Sequence, residues 1–486
     1  MKNESHKPAR WSLSLAVLAA LAANPAAAQV AKAPVPSSPY IAIVYRYADA
    51  MLEHGRDTIG PRRTGLFLSA LDRATLGPLT NRPAAPAGIR ENDRAGERTG
   101  PLTGANPHHD ENLLRLLYTL SELSGKAKYR EAADAELKWF LENTASPVAS
   151  PSLWTARLTW DVLKDAPLAA EGGAGEPSGF LRPWMLWDRC FVLAGSASGQ
   201  RAETLGQGRE RNAGLPDLDS LRQAGFELRT WAVAHAQTHD PRFLAAVGAL
   251  LERLERNRLP QAGPTGGTGA APNAWAASPS ALSLAIDCDG AAHRLPEPLA
   301  SRLRAFAARA DEMFCALPHE LTNTGGFLSE PGQIRGGSSG RVTARWTARD
   351  GIGTTAQVGM MCVSRYDNTG RIAFRELIRT AADAYLRSLP VETDDVWPGT
   401  FGQAISLELA AWRSTARPAY LARARELADV AVGRFFGERP LPRASLNSEH
   451  YESITGADTL SLALLELHLQ ILHITAVRCP PNTLDR

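Results

Sequence analysis

Apolar residues recur at three- and four-residue steps through long stretches of this chain, the spacing that lays a stripe along one face of an α-helix. Leu113, Leu116, Leu117 and Leu120 form one such stripe, and Leu421, Ala424, Leu427, Ala428 and Ala431 form another. Four longer segments, residues 113–143, 226–257, 358–389 and 404–436, share one plan: helix, tight turn, aromatic anchor, second helix. The anchors are Tyr129, Phe243, Phe374 and Tyr420, and Gly125, Pro241, Gly370 and Pro418 punctuate the turns. Glycine there is a helix stop and proline a first-turn residue. The same texture runs through residues 41–52, 181–193, 299–314 and 459–472. About twelve to fourteen helices are expected, mostly paired antiparallel. Strand signals are sparse: residues 65–71, and the alternation of Val342, Ala344, Trp346 and Ala348.

A helical hairpin cannot bury its apolar stripe alone, so the hairpins must stack on one another. Their anchors stand 114, 131 and 46 residues apart, with long irregular insertions between them. An open solenoid keeps its period. Unequal spacing therefore predicts an all-α fold closed into an (α/α)6 or (α/α)7 toroid, one domain over residues 39–486. Short turns would lie on one rim. The long connections, residues 59–110, 146–182, 194–221, 260–280, 318–354, 389–401 and 437–458, would lie on the other, where a rigid scaffold presents functional loops. The Gly/Pro/Ala-rich tract 260–279 reads as an excursion without chemistry.

Charge and composition then narrow the function classes. The 486 residues carry 53 Lys+Arg against 51 Asp+Glu. Three of those bases and one acid fall in residues 1–28, which leaves 50 of each beyond them. A neutral body lacks the basic surplus that displaces counterions from nucleic acid. The N-terminus reads as an address: Lys2, Lys7 and Arg10 precede the apolar stretch 11–23, and Ala26-Ala27-Ala28 precedes Gln29. That order predicts a secretory signal peptide over 1–28, a linker over 29–38, and a periplasmic or secreted protein with no stable membrane insertion afterwards. Five cysteines without CxxC spacing leave either one Cys288–Cys315 bridge or buried free thiols.

Candidate chemistry gathers in the long connections. Asn106-Pro107-His108-His109-Asp110-Glu111 offers two imidazoles and two carboxylates; His108 and His109 could bind a divalent cation, Ca²⁺ or Mn²⁺, or the acids could complement a helix N-terminus. In Asn447-Ser448-Glu449-His450-Tyr451-Glu452-Ser453, an imidazole and a phenol stand beside carboxylates, as proton abstraction and return on a sugar ring require. Asp394-Asp395-Val396-Trp397 puts an acid pair beside an indole that could stack on a sugar face. With Asp350 or Glu452, one of those acids could also form the carboxylate pair of a glycoside hydrolase. Trp154, Arg157, Trp160, Asp161, Arg182, Trp184, Trp187, Asp188 and Arg189 form an Arg/Trp/Asp-rich set, suited to bidentate binding of uronate carboxylates or to internal ion pairs. His235 and His239 are one turn apart, where helix-terminal capping competes with metal ligation.

The stretch Tyr47-Ala48-Asp49-Ala50-Met51-Leu52, followed by Gly55-Arg56-Asp57-Thr58-Ile59-Gly60-Pro61 and Thr64-Gly65-Leu66-Phe67, resembles the opening of polysaccharide lyase family 2, the pectate (exo-polygalacturonate) lyases. Asn112-Leu113-Leu114-Arg115 through Gly125, Tyr129 and Ala133 continues the likeness, as does Ser152-Leu153-Trp154 to Asp161. The resemblance implies an (α/α) barrel, a periplasmic location, and metal-assisted β-elimination of an acidic polysaccharide. By that resemblance Arg211 is the base. No metal ligand carries over: Leu158 stands where a His is expected, residues 182–188 hold no His or Glu, and Asn212 follows Arg211. The sequence thus points to a carbohydrate-active toroid acting on an acidic polysaccharide, with His450, Tyr451, Glu452 and Arg211 as catalytic candidates. Its rivals are a hydrolase on the same scaffold and a glycan-binding protein that cleaves nothing.

Overall fold

The computed structural model describes residues 38–97, 99–144, 159–168, 183–207, 218–256, 278–322, 325–330, 341–348 and 353–482. The segment 1–28 read as a signal peptide, the tract 260–277, Trp154, Arg157, Arg182, Arg211 and Asp350 lie outside them. In chain order the elements are α1 (Pro39–His54), β1 (Ala70–Leu71), β2 (Gly104–Ala105), α2 (Glu111–Ser124), α3 (Ala127–Asn143), β3 (Trp160–Asp161), β4 (Ala166–Pro167), α4 (Trp187–Gln207), α5 (Leu218–Thr238) and α6 (Pro241–Arg256). Then come α7 (Pro279–Ala292), α8 (Leu299–Cys315), β5 (Leu328–Glu330), β6 (Arg341–Val342), α9 (Thr355–Thr369), α10 (Ile372–Tyr385), α11 (Pro398–Thr415), α12 (Pro418–Ala431), β7 (Tyr451–Glu452) and α13 (Ala457–Ile471).

Burial sorts these helices into two rings. Helices α7, α11 and α13 are buried almost all round, α2 and α9 nearly so over their first turns, and α5 nearly so over residues 224–234. Helices α1, α3, α6, α8, α10 and α12 bury one face only. Around the inner ring α5 packs on α7, α7 on α9, α9 on α11, α11 on α13 and α13 on α2. Each inner helix pairs with an outer one: α2 with α3, α5 with α6, α7 with α8, α9 with α10, α11 with α12, and α13 with α1. Helix α4, bent at Ala194, bridges α3 and α5 and completes the circle. The fold is the all-α toroid; among the described residues it has six inner–outer pairs, five of them hairpins and the sixth formed by α13 with α1. Its core is one continuous cluster, and all five cysteines are free thiols.

The aromatic anchors explain how the outer ring is held. Tyr129, Phe243, Phe374 and Tyr420 are all buried. Two of them carry a hydroxyl to the preceding outer helix: Tyr129 donates to Asp49 (2.8 Å) and Tyr420 to Asp383 (2.7 Å). Tyr40 of α1 donates to Asp429 of α12 (2.8 Å), so the same clasp joins the first outer helix to the last. The turns close as the sequence implies: Gly125 and Gly370 take φ of 71° and 66°, a left-handed conformation that costs glycine nothing.

Short turns occupy one rim, so all inner helices start at the other. There the three short sheets are made. Strand β1 pairs antiparallel with β7 (Ala70↔Glu452, Leu71↔Tyr451), tying the α1–α2 connection to the α12–α13 connection. After α13 the chain turns back along the inside of the ring. Asn482 reaches α2, α11 and α13 together: its Nδ2 donates to Ser406 Oγ (3.3 Å) and to the Thr459 carbonyl (2.9 Å), while Asn112 Nδ2 donates to its Oδ1 (3.4 Å). Arg115 also donates to the Pro481 carbonyl (3.0 Å). Only a segment in the lumen can touch all three helices from within.

Candidate active site

The β1–β7 pairing places His450 and Glu452 against the loop that carries Arg94. Glu452 accepts a fork from Arg94, Nε to Oε1 and Nη2 to Oε2, each at 2.9 Å. His450 Nε2 lies 2.8 Å from the same Oε2. Burial alone would raise the Glu452 carboxyl, but the hydrogen bonds from His450 and Arg94 hold it below its ordinary value. A carboxylate can only accept, so the imidazole donates through Nε2–H and the lone pair is left on Nδ1. Among the described residues Nδ1 has no hydrogen-bond partner, and it is not one of the enclosed nitrogens; His450 as a whole is 7% exposed. A base oriented by a third group, with its other nitrogen open, is the arrangement of a general base.

Tyr451 points the other way along the strand. It is 0% exposed, and its hydroxyl lies 3.2 Å from that of Tyr47 on α1. Burial first, then Tyr47, Asp110 and Asp458, pushes its phenol well above the ordinary value. The fold thus joins two motifs that are far apart in sequence, since Asp110 opens α2 and Asp458 opens α13. Asp458 Oδ2 accepts from the Leu113 amide (3.0 Å), satisfying across the interface a donor that the start of α2 leaves open. Tyr451 was expected to deliver a proton to substrate. In the structure its hydroxyl is enclosed and faces Tyr47 of α1.

The Asn106–Glu111 motif folds as a compact turn: Asn106 Oδ1 accepts from the His108 amide (3.1 Å), and the His109 amide donates to the Asn106 carbonyl (2.8 Å). The His108 ring lies 6.0 Å from that of Trp184, and Glu111 accepts from the Met185 amide. Both histidines are buried. Among the described residues no three His, Cys, Asp or Glu side chains come together in a group that could hold a metal ion.

The remaining candidates hold internal partners. Trp160 is buried edge-on against Trp139, ring centres 5.0 Å apart, with Arg62 over both. Asp161 accepts from the Leu163 amide (2.9 Å) and closes its own loop. Trp187 is buried beside Phe191. Arg189 forks onto Asp134 of α3, Nε to Oδ1 at 2.8 Å, as the internal ion pair that was the alternative to sugar binding. Asp394 accepts from the Val391 amide within its turn. Asp395 staples two loops, accepting from the Ala87 (2.9 Å) and Asn447 (3.0 Å) amides. Trp397 is half-buried, its indole N–H donating to the Ala87 carbonyl (3.0 Å), with part of the ring left at the surface of the rim. His235 Nδ1 lies 3.3 Å from the Asp240 carbonyl in the turn between α5 and α6.

No protein-family model matches the chain, so the resemblance to polysaccharide lyase family 2 rests on residues 47–161 alone. No curated protein matches it in sequence. Solved structures of similar architecture include a D-mannose isomerase (8% identity over 90% of this chain and 100% of that one, TM-score 0.48). A Salegentibacter α-1,6-mannanase is 8% identical over 88% of this chain and 99% of its own, with a TM-score of 0.42. An unsaturated glucuronyl hydrolase specific for heparin is 14% identical over 60% and 85%, with a TM-score of 0.36.

Arg94 and Asp458 carry the site's order. In sequence Arg94 is only the end of a weak charged run, residues 90–94, and Asp458 was not singled out. Neither has a local signal, because the partner of each is more than 340 residues away.

Proposed function

We propose that this protein cleaves an acidic, uronic-acid-containing polysaccharide by β-elimination at the rim where the inner helices begin. One observation carries the reading: an imidazole held on Nε2 by a carboxylate, itself clamped by Arg94, with Nδ1 left open. Elimination needs a base for the proton at C5 of the uronate. His450 Nδ1 takes it; the C5–H electron pair forms the C4=C5 bond and the C4–O4 bond breaks. The leaving oxygen needs a proton. An imidazolium on the same face of the ring can return the one it took, so one residue serves both steps. Glu452 stays ionised and stabilises the imidazolium, while Tyr451 and Tyr47 fix the strand beneath it.

The test uses the protein with polygalacturonate, glucuronan and alginate, with and without Ca²⁺ or Mn²⁺. Ultraviolet absorbance of the 4,5-unsaturated product and new reducing ends are followed together. Elimination raises both, and His450→Ala lowers the rate by about 10²- to 10⁴-fold. Reducing ends without absorbance would replace elimination with hydrolysis. Silence in both, with glycan still bound, would make this a binding protein.

A further inference from the structure

Behind the hairpin that carries His450 lies a cluster of basic groups that the base does not use. Arg73 follows β1 and faces Glu449 across the extension of the β1–β7 pairing, donating through Nη1 to its Oε2 (3.0 Å). Its other donors are spent on the Leu441, Phe435 and Phe436 carbonyls, and its side chain is 3% exposed. Arg443 donates through Nη2 to Glu449 Oε1 (2.6 Å) and through Nη1 to the Leu446 carbonyl (3.2 Å). Its Nε is enclosed and has no acceptor among the described residues. Burial, together with the nearby Arg443 and Arg439, lowers the Arg73 guanidinium to about 10 even with Glu449 beside it. Two arginines thus share one glutamate, and that glutamate is the loosest of the three, its side chain 67% exposed.

Two features separate this cluster from an ordinary surface ion pair. Arginine presents Nε and Nη2 as one edge that fits both oxygens of a carboxylate, and here only Nη2 is used. Moreover, the fully desolvated arginine is pinned by backbone carbonyls, while its carboxylate partner is free to swing into solvent. We propose that Arg73 and Arg443 form an anion subsite for a uronate carboxylate, in which the Glu449 carboxylate stands in for the ligand until substrate displaces it. The subsite rests on the reading of an acidic glycan as substrate. The Ala444 amide donates to the His450 carbonyl (2.6 Å), which ties the segment bearing Arg443 to the one bearing Glu449.

The stand-in role has an unusual signature. Glu449→Gln removes the internal competitor, so D-galacturonate or D-glucuronate should bind roughly five- to tenfold tighter than to the native protein. Arg443→Gln should weaken the same ligand by a similar factor, and D-galactose should be indifferent to both changes. Titration calorimetry, with thermal melts as the folding control, reads all three. The subsite is overturned if Glu449→Gln leaves uronate affinity unchanged or weaker, or if galactose follows uronate through both variants. It is also overturned if polysaccharide is cleaved yet neither protein binds a uronate monosaccharide, a result that leaves elimination standing. Uronate binding that tightens in Glu449→Gln without cleavage of any polymer supports the subsite and sinks the lyase.

Discussion

Glu452 and Glu408 are both buried carboxyl groups, and their surroundings move them in opposite directions. Glu452 is held below its ordinary value by His450 and Arg94. Its stabilising contribution is complete above the unfolded value and is lost as pH falls through the lower folded one. Glu408 on α11 is raised to about 9 by burial, which Arg423 and Arg417 do not offset, and neither of its oxygens has a hydrogen-bond partner among the described residues. Its folded state keeps a proton that the unfolded chain releases, so stability falls as pH climbs from the unfolded value toward 9. Glu408→Gln removes that slope. Urea denaturation should show a gain on the order of 2 kcal/mol at pH 8 and none at pH 4; an equal effect at both would mean packing, not ionisation, is responsible. Sequence reading named Glu452 correctly as a member of a charged cluster but could not say it was locked, because its lock, Arg94, arrives from another loop.

Between elements, buried polar ties do what the apolar stripes cannot, which is to choose register. Arg365 of α9 is fully buried and forks onto Asp311 of α8 (2.8 and 2.7 Å) while reaching Asp289 of α7. Arg365→Ala strands two carboxylates in the core and should cost about 3–5 kcal/mol in chemical denaturation; a loss under 1 kcal/mol would mean water reaches the triad. The outer clasps are gentler. Tyr40→Phe removes one hydroxyl that joins α1 to α12 and should cost about 1 kcal/mol. The hairpins themselves were legible in sequence, since each repeats an apolar period and a turn signal. Helix α7 was not: it is buried nearly all round, so it has no polar face and hence no periodicity to detect. The inner helices also meet more closely than a pattern can tell. A Cβ on Gly402 would stand 2.7 Å from the Thr459 carbonyl oxygen, so α11 and α13 touch backbone to backbone.

For the whole molecule, the segment after α13 is the unexpected part. Residues 479–482 fill the lumen between α2, α11 and α13, with Cys479 donating weakly to the Leu462 carbonyl (3.7 Å) and Asn482 bonded on three sides. Burial lowers the Arg115 guanidinium despite Glu111 and Cys479 nearby, with Arg229 across the lumen adding to the fall. Removing the Pro481 carbonyl would leave that charge with one acceptor fewer. Deleting residues 479–486 should therefore lower stability on the order of 3 kcal/mol, read as a lower urea midpoint. An unchanged midpoint would show that the segment lies in the lumen without bracing it. No helix among the described residues is long and apolar enough to cross a membrane.

The sequence by itself determined the elements and their closure. Apolar periods, turn residues and unequal spacing are local quantities, and each hairpin must bury its stripe against the next, so an all-α toroid followed. What only the tertiary structure decided is which polar residues face which. Asp161, Arg189, Asp394 and Asp395 looked like substrate contacts and are loop and ring staples; His450, Glu449 and Arg73 became neighbours through a strand pairing two residues long. A carboxylate or guanidinium reads the same in sequence whether it meets solvent, substrate or another loop. Its chemistry is set by the partner that desolvates it, and in a ring the partners are brought together by closure and not by proximity along the chain.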